Sequence, residues 1–199
     1  MAKIKYTKNE LKGQKDALKR FRRFLPTLIL KKQQLQIEIR KIEQQKKQKA
    51  RDLESLMEKT EPWIAVFAEE AGLEKLLRIR RVDLEAGNIT GVEIPLLKNI
   101  EFAVEEYDLV RTPLWVDAGI EVLKTAVTLN RELEILEEQI RRLAQELRIT
   151  TQRVNLFEKV KIPEAQENIR KIMIYLGDQQ TAAVVCGKIA KNKILRENP

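Results

Sequence analysis

The segment VLKTAVTLNRELEILEEQIRRLAQELRITTQRVNLF, residues 122–157, decides the fold. Its apolar residues recur at alternating steps of three and four: Val122, Ala126, Leu129, Leu133, Leu136, Ile140, Leu143, Leu147, Thr150, Val154 and Phe157. Ten of these eleven positions are apolar. A heptad repeat sustained over that length predicts a helix that supercoils left-handed against a partner helix. No Gly or Pro occurs from Ile120 to Ile162, so nothing local interrupts it. After Phe157 the phase slips, and a new series runs through Ile162, Ala165, Ile169, Ile172 and Leu176. Pro163 sits at the slip, so a bend or a stutter is expected there.

The partner is found at the other end of the chain. Thr7-Lys8-Asn9-Glu10 fits a capping box just before Leu11. From there the same spacing runs through Leu11, Gln14, Leu18, Phe21, Leu25, Leu28, Lys32, Leu35, Ile39, Ile42, Lys46, Lys49, Leu53, Leu56, Thr60, Trp63 and Phe67. Pro26 lies inside the run and removes one helical hydrogen bond. Lys32, Lys46 and Lys49 interrupt the apolar series. Their stems can snorkel, which predicts a loosened section of the pair or a place where another subunit packs. Two arms of matched length, each roughly 70–95 Å at 1.5 Å per residue, can fold back on each other. A compact bundle of this length normally has four shorter helices with turn residues between them.

Gly and Pro concentrate between the arms, where Pro62 to Gly119 holds four of the seven Gly and three of the six Pro. Arg81-Val82-Asp83-Leu84-Glu85 alternates, Ala86-Gly87-Asn88 reads as a turn, and Ile89 to Ile94 is rich in β-branched residues. That predicts a short hairpin. Ile100 to Glu105 alternates as well, as a third short strand or a turn of helix. A lone hairpin is marginal and must lean on the arms or on a partner. Trp63, Phe67, Phe102, Tyr107 and Trp115 form the expected small core at this end. Thr112-Pro113 opens the second arm as an N-cap followed by Pro at the first helical position. The expected division is residues 1–68 as the N-terminal arm, 69–111 as the insert and 112–199 as the C-terminal arm. The fold class is all-α dominated, a long antiparallel two-helix coiled coil with a small insert carrying a short β-hairpin.

Composition narrows the chemistry. The chain of 199 residues has no His, which excludes imidazole acid–base catalysis and His-ligated metal. The single Cys186, next to Val184 and Val185, excludes a disulfide framework and reads as a small buried residue in a reducing compartment. Gly187-Lys188 lacks the upstream glycine and the following Ser/Thr of a phosphate loop, and Gly177 and Gly187 are expected to loosen the last helical turns. No apolar run is long enough to span a bilayer, and MAKIKYTKNE is not a secretory leader. Glu137, Glu138, Arg141 and Arg142 are spaced for ion pairs along one helix. No catalytic constellation, cofactor site or metal site is expected. A net charge of +8, with pI near 9.5, points to solubility of an exposed coil, to an acidic protein partner or to nucleic acid.

One segment carries more than periodicity. Thr150-Thr151-Gln152-Arg153-Val154-Asn155-Leu156-Phe157-Glu158, followed by Ile162-Pro163, Ile169 and Ile172, resembles a signature of the D subunit family of V-type (vacuolar/archaeal-type) ATPases and ATP synthases. Thr7, Leu11 and Leu28-Ile29-Leu30-Lys31-Lys32 resemble the family's N-terminal segment. Gly91-Val92-Glu93-Ile94-Pro95-Leu96-Leu97-Lys98 is similar to its central stretch. After Gly177 the chain departs from the family, whose members typically end in a basic segment containing aromatics.

The resemblance implies a central rotor shaft, or central stalk, with no active site of its own. It sits inside a ring of catalytic A and regulatory B subunits and is bound by the F subunit. A funnel-shaped subunit joins it to the membrane rotor. The implied location is cytoplasmic and peripheral to a membrane. Arg148, Gln152, Arg153 and Lys159 lie around the signature but off its seam, and are the expected contacts to the A/B ring. Arg153 has an alternative role as an intramolecular ion-pair partner, and Asn155 is placed to hydrogen-bond across to the first arm. The seam itself is expected to consist of Leu18, Phe21, Leu25, Leu28, Leu35, Ile39, Ile42, Leu53, Leu56, Leu129, Leu133, Leu136, Ile140, Leu143, Leu147, Val154 and Phe157. The competing readings are a cytosolic coiled-coil adaptor and a nucleic-acid-binding coiled coil.

Overall fold

The computed structural model describes residues 4–62, 76–105, 113 and 115–197. Trp63, Phe67, Tyr107 and Thr112 lie outside the described residues. Helix α1 spans Lys8–Thr60, strands β1 and β2 span Leu77–Ile89 and Val92–Val104, and helix α2 spans Val116–Asn155. A π-helical turn, Leu156–Lys161, then leads into helix α3, Ile162–Glu197. The fold is thus long N- and C-terminal helices with a central antiparallel two-stranded hairpin. The chain divides into two compact units. One is Met1–Lys31 with Ile149–Pro199, and the other is Lys32–Arg148.

Helix α1 begins where its cap says it should. Thr7 Oγ1 accepts the Glu10 N–H at 3.2 Å. The reciprocal half of a capping box is replaced, because Glu10 Oε1 takes Gln14 Nε2 at 2.9 Å. Pro26 is carried within the helix, leaving the Arg22 carbonyl without its usual donor. At the far end Thr60 is buried, and its hydroxyl donates to the carbonyls of Leu56 and Met57, which satisfies the one polar group the seam buries there. Helix α2 starts at Val116, three residues beyond the expected Pro at the first helical position. Pro113 instead lies before the helix and its carbonyl accepts the Val116 N–H at 3.1 Å.

In the unit Lys32–Arg148, α1 and α2 run antiparallel: Lys46 pairs with Glu137 at 3.5 Å, and Lys49, further along, pairs with the earlier Glu132 at 2.6 Å. Leu35, Ile42, Leu143 and Ile94 are buried together. Ile39, Ile89, Val92, Leu136, Ile140 and Leu147 pack around them. The hairpin therefore supplies Ile89, Val92 and Ile94 to the same core that the helices build. Two of the three seam lysines are engaged across the pair. Lys46 and Lys49 reach carboxylates of the facing helix, beside an open groove of about 270 Å³ lined by Gln45, Leu97, Glu132 and Gln139.

The hairpin is longer than expected and turns elsewhere. Ala86, Gly87 and Asn88 are within β1, and the reversal is at Thr90-Gly91, with φ of 54° and 79°. Two successive positive φ angles make the mirror-image two-residue turn that matches strand twist. Asn88 Oδ1 accepts the Gly91 N–H at 3.0 Å. Gly87 lies under Leu96: a Cβ there would stand 2.7 Å from Leu96 Cδ1, so that side chain would have to shift. Ile100 to Val104 belongs to β2 and is no third strand. Register shifts between Ile79 and Arg81 on β1, and between Asp83 and Leu84, keep the pairing from Leu77↔Val104 to Ile89↔Val92.

The unit Met1–Lys31 with Ile149–Pro199 is also antiparallel. Tyr6 packs tilted against Tyr175, with ring centroids 5.0 Å apart, and Phe21 likewise against Phe157 at 5.2 Å. The phase slip has a definite form here. Thr150 to Phe157 is seven residues, Phe157 to Ala165 is eight, and Ala165 to Ile172 is seven. The π turn absorbs the extra residue, with the Ile162 N–H bonded to the Phe157 carbonyl, five residues back rather than four. Ala165 and Ile172 stay buried as a result. Pro163, with no N–H to lose, is tolerated in the first turn of α3. Deleting Lys159 restores a seven-residue step. The deletion is expected to leave helicity unchanged and cost less than about 1 kcal/mol, with a thermal melt and circular dichroism as the check. A larger loss means the turn does more than take up one residue.

From Gly177 to Leu195 every residue of α3 is exposed. Cys186 is therefore exposed rather than buried, because no described residue covers it. Gly177 and Gly187 do not loosen the end, since α3 continues through both to Glu197.

Candidate functional site

The signature segment lies at the end of α2 and in the π turn, and its residues divide by face. Thr150 and Val154 are buried and Phe157 is half-buried against Phe21, because the heptad spacing turns these three inward. Gln152, Arg153, Asn155, Glu158 and Lys159 are exposed. Arg148, at the edge of the other unit, is exposed as well. Among the described residues no carboxylate lies within ion-pair distance of Arg148, Arg153 or Lys159. The intramolecular role for Arg153 is therefore not realised. Asn155 likewise makes no side-chain hydrogen bond. The π turn also leaves Leu156 and Val160 on the outside, 44% and 49% exposed, where a regular heptad would not place two large apolar residues side by side.

The residues named for the seam fall as follows. Leu35, Ile42, Leu143 and Val154 are buried. Ile39, Leu136, Ile140 and Leu147 pack on the first three. Leu18, Phe21, Leu25, Leu28, Leu53, Leu56, Leu129, Leu133 and Phe157 are half-buried. Half-burial is the ordinary result when a helix is covered along one stripe only.

Elsewhere on the helices charge is held by short-range pairs. Glu138 receives both Arg142, at 2.7 Å, and Arg141, at 2.6 Å. The hydrogen bonds from Arg142 and then Arg141 hold its carboxyl below the usual carboxylate range. The expected pairing thus centres on Glu138, while Glu137 faces Lys46 on α1. Glu167 is held down at about 2, first by the hydrogen bonds of Arg170 and then by the charges of Arg170 and Lys171. No group of three or more His, Cys, Asp or Glu is placed to hold a metal ion among the described residues. No described helix is long and apolar enough to cross a membrane.

Periodicity gave no warning of how the hairpin is held. Gln139 is buried beside the seam and its Nε2 donates to the Pro95 carbonyl at 2.6 Å; Arg142 donates to the Glu93 carbonyl at 3.3 Å. The residue types carry only a weak signal: a Gln inside a heptad flank, and a Pro in a strand whose carbonyl is free to accept.

Comparison with known proteins adds the family. The family of ATP synthase D subunits matches residues 10–192. The chain is 54% identical over 198 residues to the V-type ATP synthase D subunit of Borreliella burgdorferi, covering 100% of this chain and 98% of the relative. It is 36% identical over 200 residues to the protein of the same name in Chlamydia muridarum, covering 97% of each. With that of Chlamydia abortus it shares 35% over 196 residues, 97% of this chain and 94% of the relative. Matches of this extent, on a chain whose two ends pack as antiparallel helices, establish that it belongs to the V-type ATP synthase D subunit family.

Proposed function

We propose that the chain is the central shaft of a V/A-type rotary ATPase or ATP synthase. It carries torque between the A/B hexamer, where ATP is hydrolysed or made, and the membrane rotor ring that moves H⁺ or Na⁺. The observation that carries this reading is the antiparallel seam present in both units, Lys46–Glu137 and Lys49–Glu132 in one and Phe21–Phe157 and Tyr6–Tyr175 in the other. Two helices locked by an apolar seam resist twisting better than one. Arms 1–68 and 112–199 form the shaft, and the insert 69–111 braces it. On this reading the protein is non-catalytic and works in the cytoplasm, peripheral to the membrane. Its partners are the catalytic A and regulatory B subunits, the F subunit, and a funnel-shaped subunit that reaches the membrane rotor.

Arg148, Gln152, Arg153 and Lys159 are the proposed ring contacts. They are exposed, and the three cations among them have charge to offer a partner. Reversing Arg148 and Arg153 to Glu is expected to lower coupled ATP turnover by up to roughly tenfold, from the size of exposed charge contacts, with helicity unchanged. The assay is ATPase activity of the reconstituted complex. Turnover equal to wild type removes both residues from the contact surface.

A further inference from the structure

Helix α1 carries a second pattern that its seam does not use. Lys8, Lys12, Lys15, Lys19 and Arg22 recur at steps of four, three, four and three, and so line one face of the helix. All five are exposed. Among the described residues, none of the five has a carboxylate within ion-pair distance. Elsewhere on the helices an acid three or four residues away pairs with the cation, as in Lys41–Glu38, Lys124–Glu121, Arg131–Glu134 and Arg170–Glu167; here Asp16, four residues after Lys12 and three before Lys19, pairs with neither. Between Lys8 and Lys31 there are eight Lys and Arg against only Glu10 and Asp16, which accounts for most of the chain's net charge of +8. Glu10 is engaged by Gln14.

Like charges at i,i+4 destabilise a helix. A row of five is unfavourable for α1 by itself and becomes favourable only against negative charge. We propose that this stripe is a docking surface for a carboxylate-lined face of a neighbouring protein, and it rests on the shaft reading for naming that neighbour as the A/B ring. The cations succeed one another every 5 Å or so along the axis, from a rise of about 1.5 Å per residue. A helix bearing Asp or Glu at the same spacing, or a run of acidic loops, presents charge at that repeat. The series contains no aromatic to stack on bases and no large apolar residue to enter a bilayer, which disfavours nucleic acid and lipid.

The test uses the full chain and the purified A/B ring, with binding measured at low and at physiological ionic strength. Three proteins are compared: wild type, K12E/K15E/K19E and K12R/K15R/K19R, each checked for helicity. The Glu variant is expected to bind about tenfold more weakly or worse at low salt, with a flattened salt dependence, while the Arg variant binds as wild type. A Glu variant that binds the ring like wild type overturns the stripe and leaves the shaft reading standing. Equal loss in the Arg variant also overturns it, since charge is then not what is recognised. Tighter wild-type binding to a random-sequence duplex or to phosphatidylserine vesicles than to the ring overturns it in favour of those surfaces. A wild-type chain that does not join the ring removes the shaft reading itself, and this partner with it.

Discussion

Shortening Leu143 to alanine is expected to cost about 2–5 kcal/mol of folding free energy. Leu143 is 0% exposed and sits where three elements meet, with Leu35 and Ile42 from α1 and Ile94 from β2. Removing its branched end deletes buried apolar atoms and leaves a void that none of the three elements can fill alone. The hairpin brings few other buried residues to the helices, so the loss falls on its docking as well as on the helix pair. Leu143→Met, which nearly conserves volume, is expected to cost under about 1.5 kcal/mol. Urea denaturation of both variants gives the comparison. A loss below about 1 kcal/mol for the alanine variant means that the cluster is not closed around this residue.

The second large effect is expected from Ile172→Asp in the other unit. Ile172 is also 0% exposed. The nearest cations along its helix, Arg170 and Lys171, are already directed to Glu167. A carboxylate there loses its water within an apolar seam, so the cost is expected to exceed about 4 kcal/mol at neutral pH. The penalty must depend on pH in a defined direction. Burial raises the folded-state pKa of the new Asp above its unfolded value of about 3.9. Below that value both states are protonated and the charge penalty is absent. As pH rises through the window between the two pKa values, the unfolded state ionises first and the variant loses stability relative to wild type. Melting temperatures at acid and neutral pH check this, and a penalty independent of pH contradicts burial of the side chain.

Both residues are readable as seam positions from spacing alone, and so is the pairing of the chain's two ends. A run of apolar residues at steps of three and four can be buried only on one stripe of a helix, and two such runs of matched length can cover each other. The cap at Thr7 is legible for an equally local reason, since one hydroxyl meets one N–H three residues on. The hairpin shows where local reading stops. Ala86-Gly87-Asn88 has turn composition, yet the chain reverses at Thr90-Gly91. Ile89, Val92 and Ile94 must all reach the helix core, and Gly87 lies within the strand under Leu96. Cys186 and its apolar neighbours mislead in the opposite direction, because burial depends on whether a helix faces them and, among the described residues, none does.

The candidate contacts divide in the same way. That Arg148, Gln152, Arg153 and Lys159 lie off the seam follows from spacing. That Arg148, Arg153 and Lys159 keep their charges unpaired among the described residues, and that a π turn puts Leu156 and Val160 outside, does not. The amino-acid sequence alone determined the two long helices, their antiparallel sense and the family, because each rests on a repeat or motif whose meaning is carried by nearest neighbours. Only the tertiary structure decided where the hairpin turns and how Gln139 and Arg142 hold it. It also decided how one surplus residue is absorbed after Phe157, because each of these depends on which atoms meet across elements far apart in the chain.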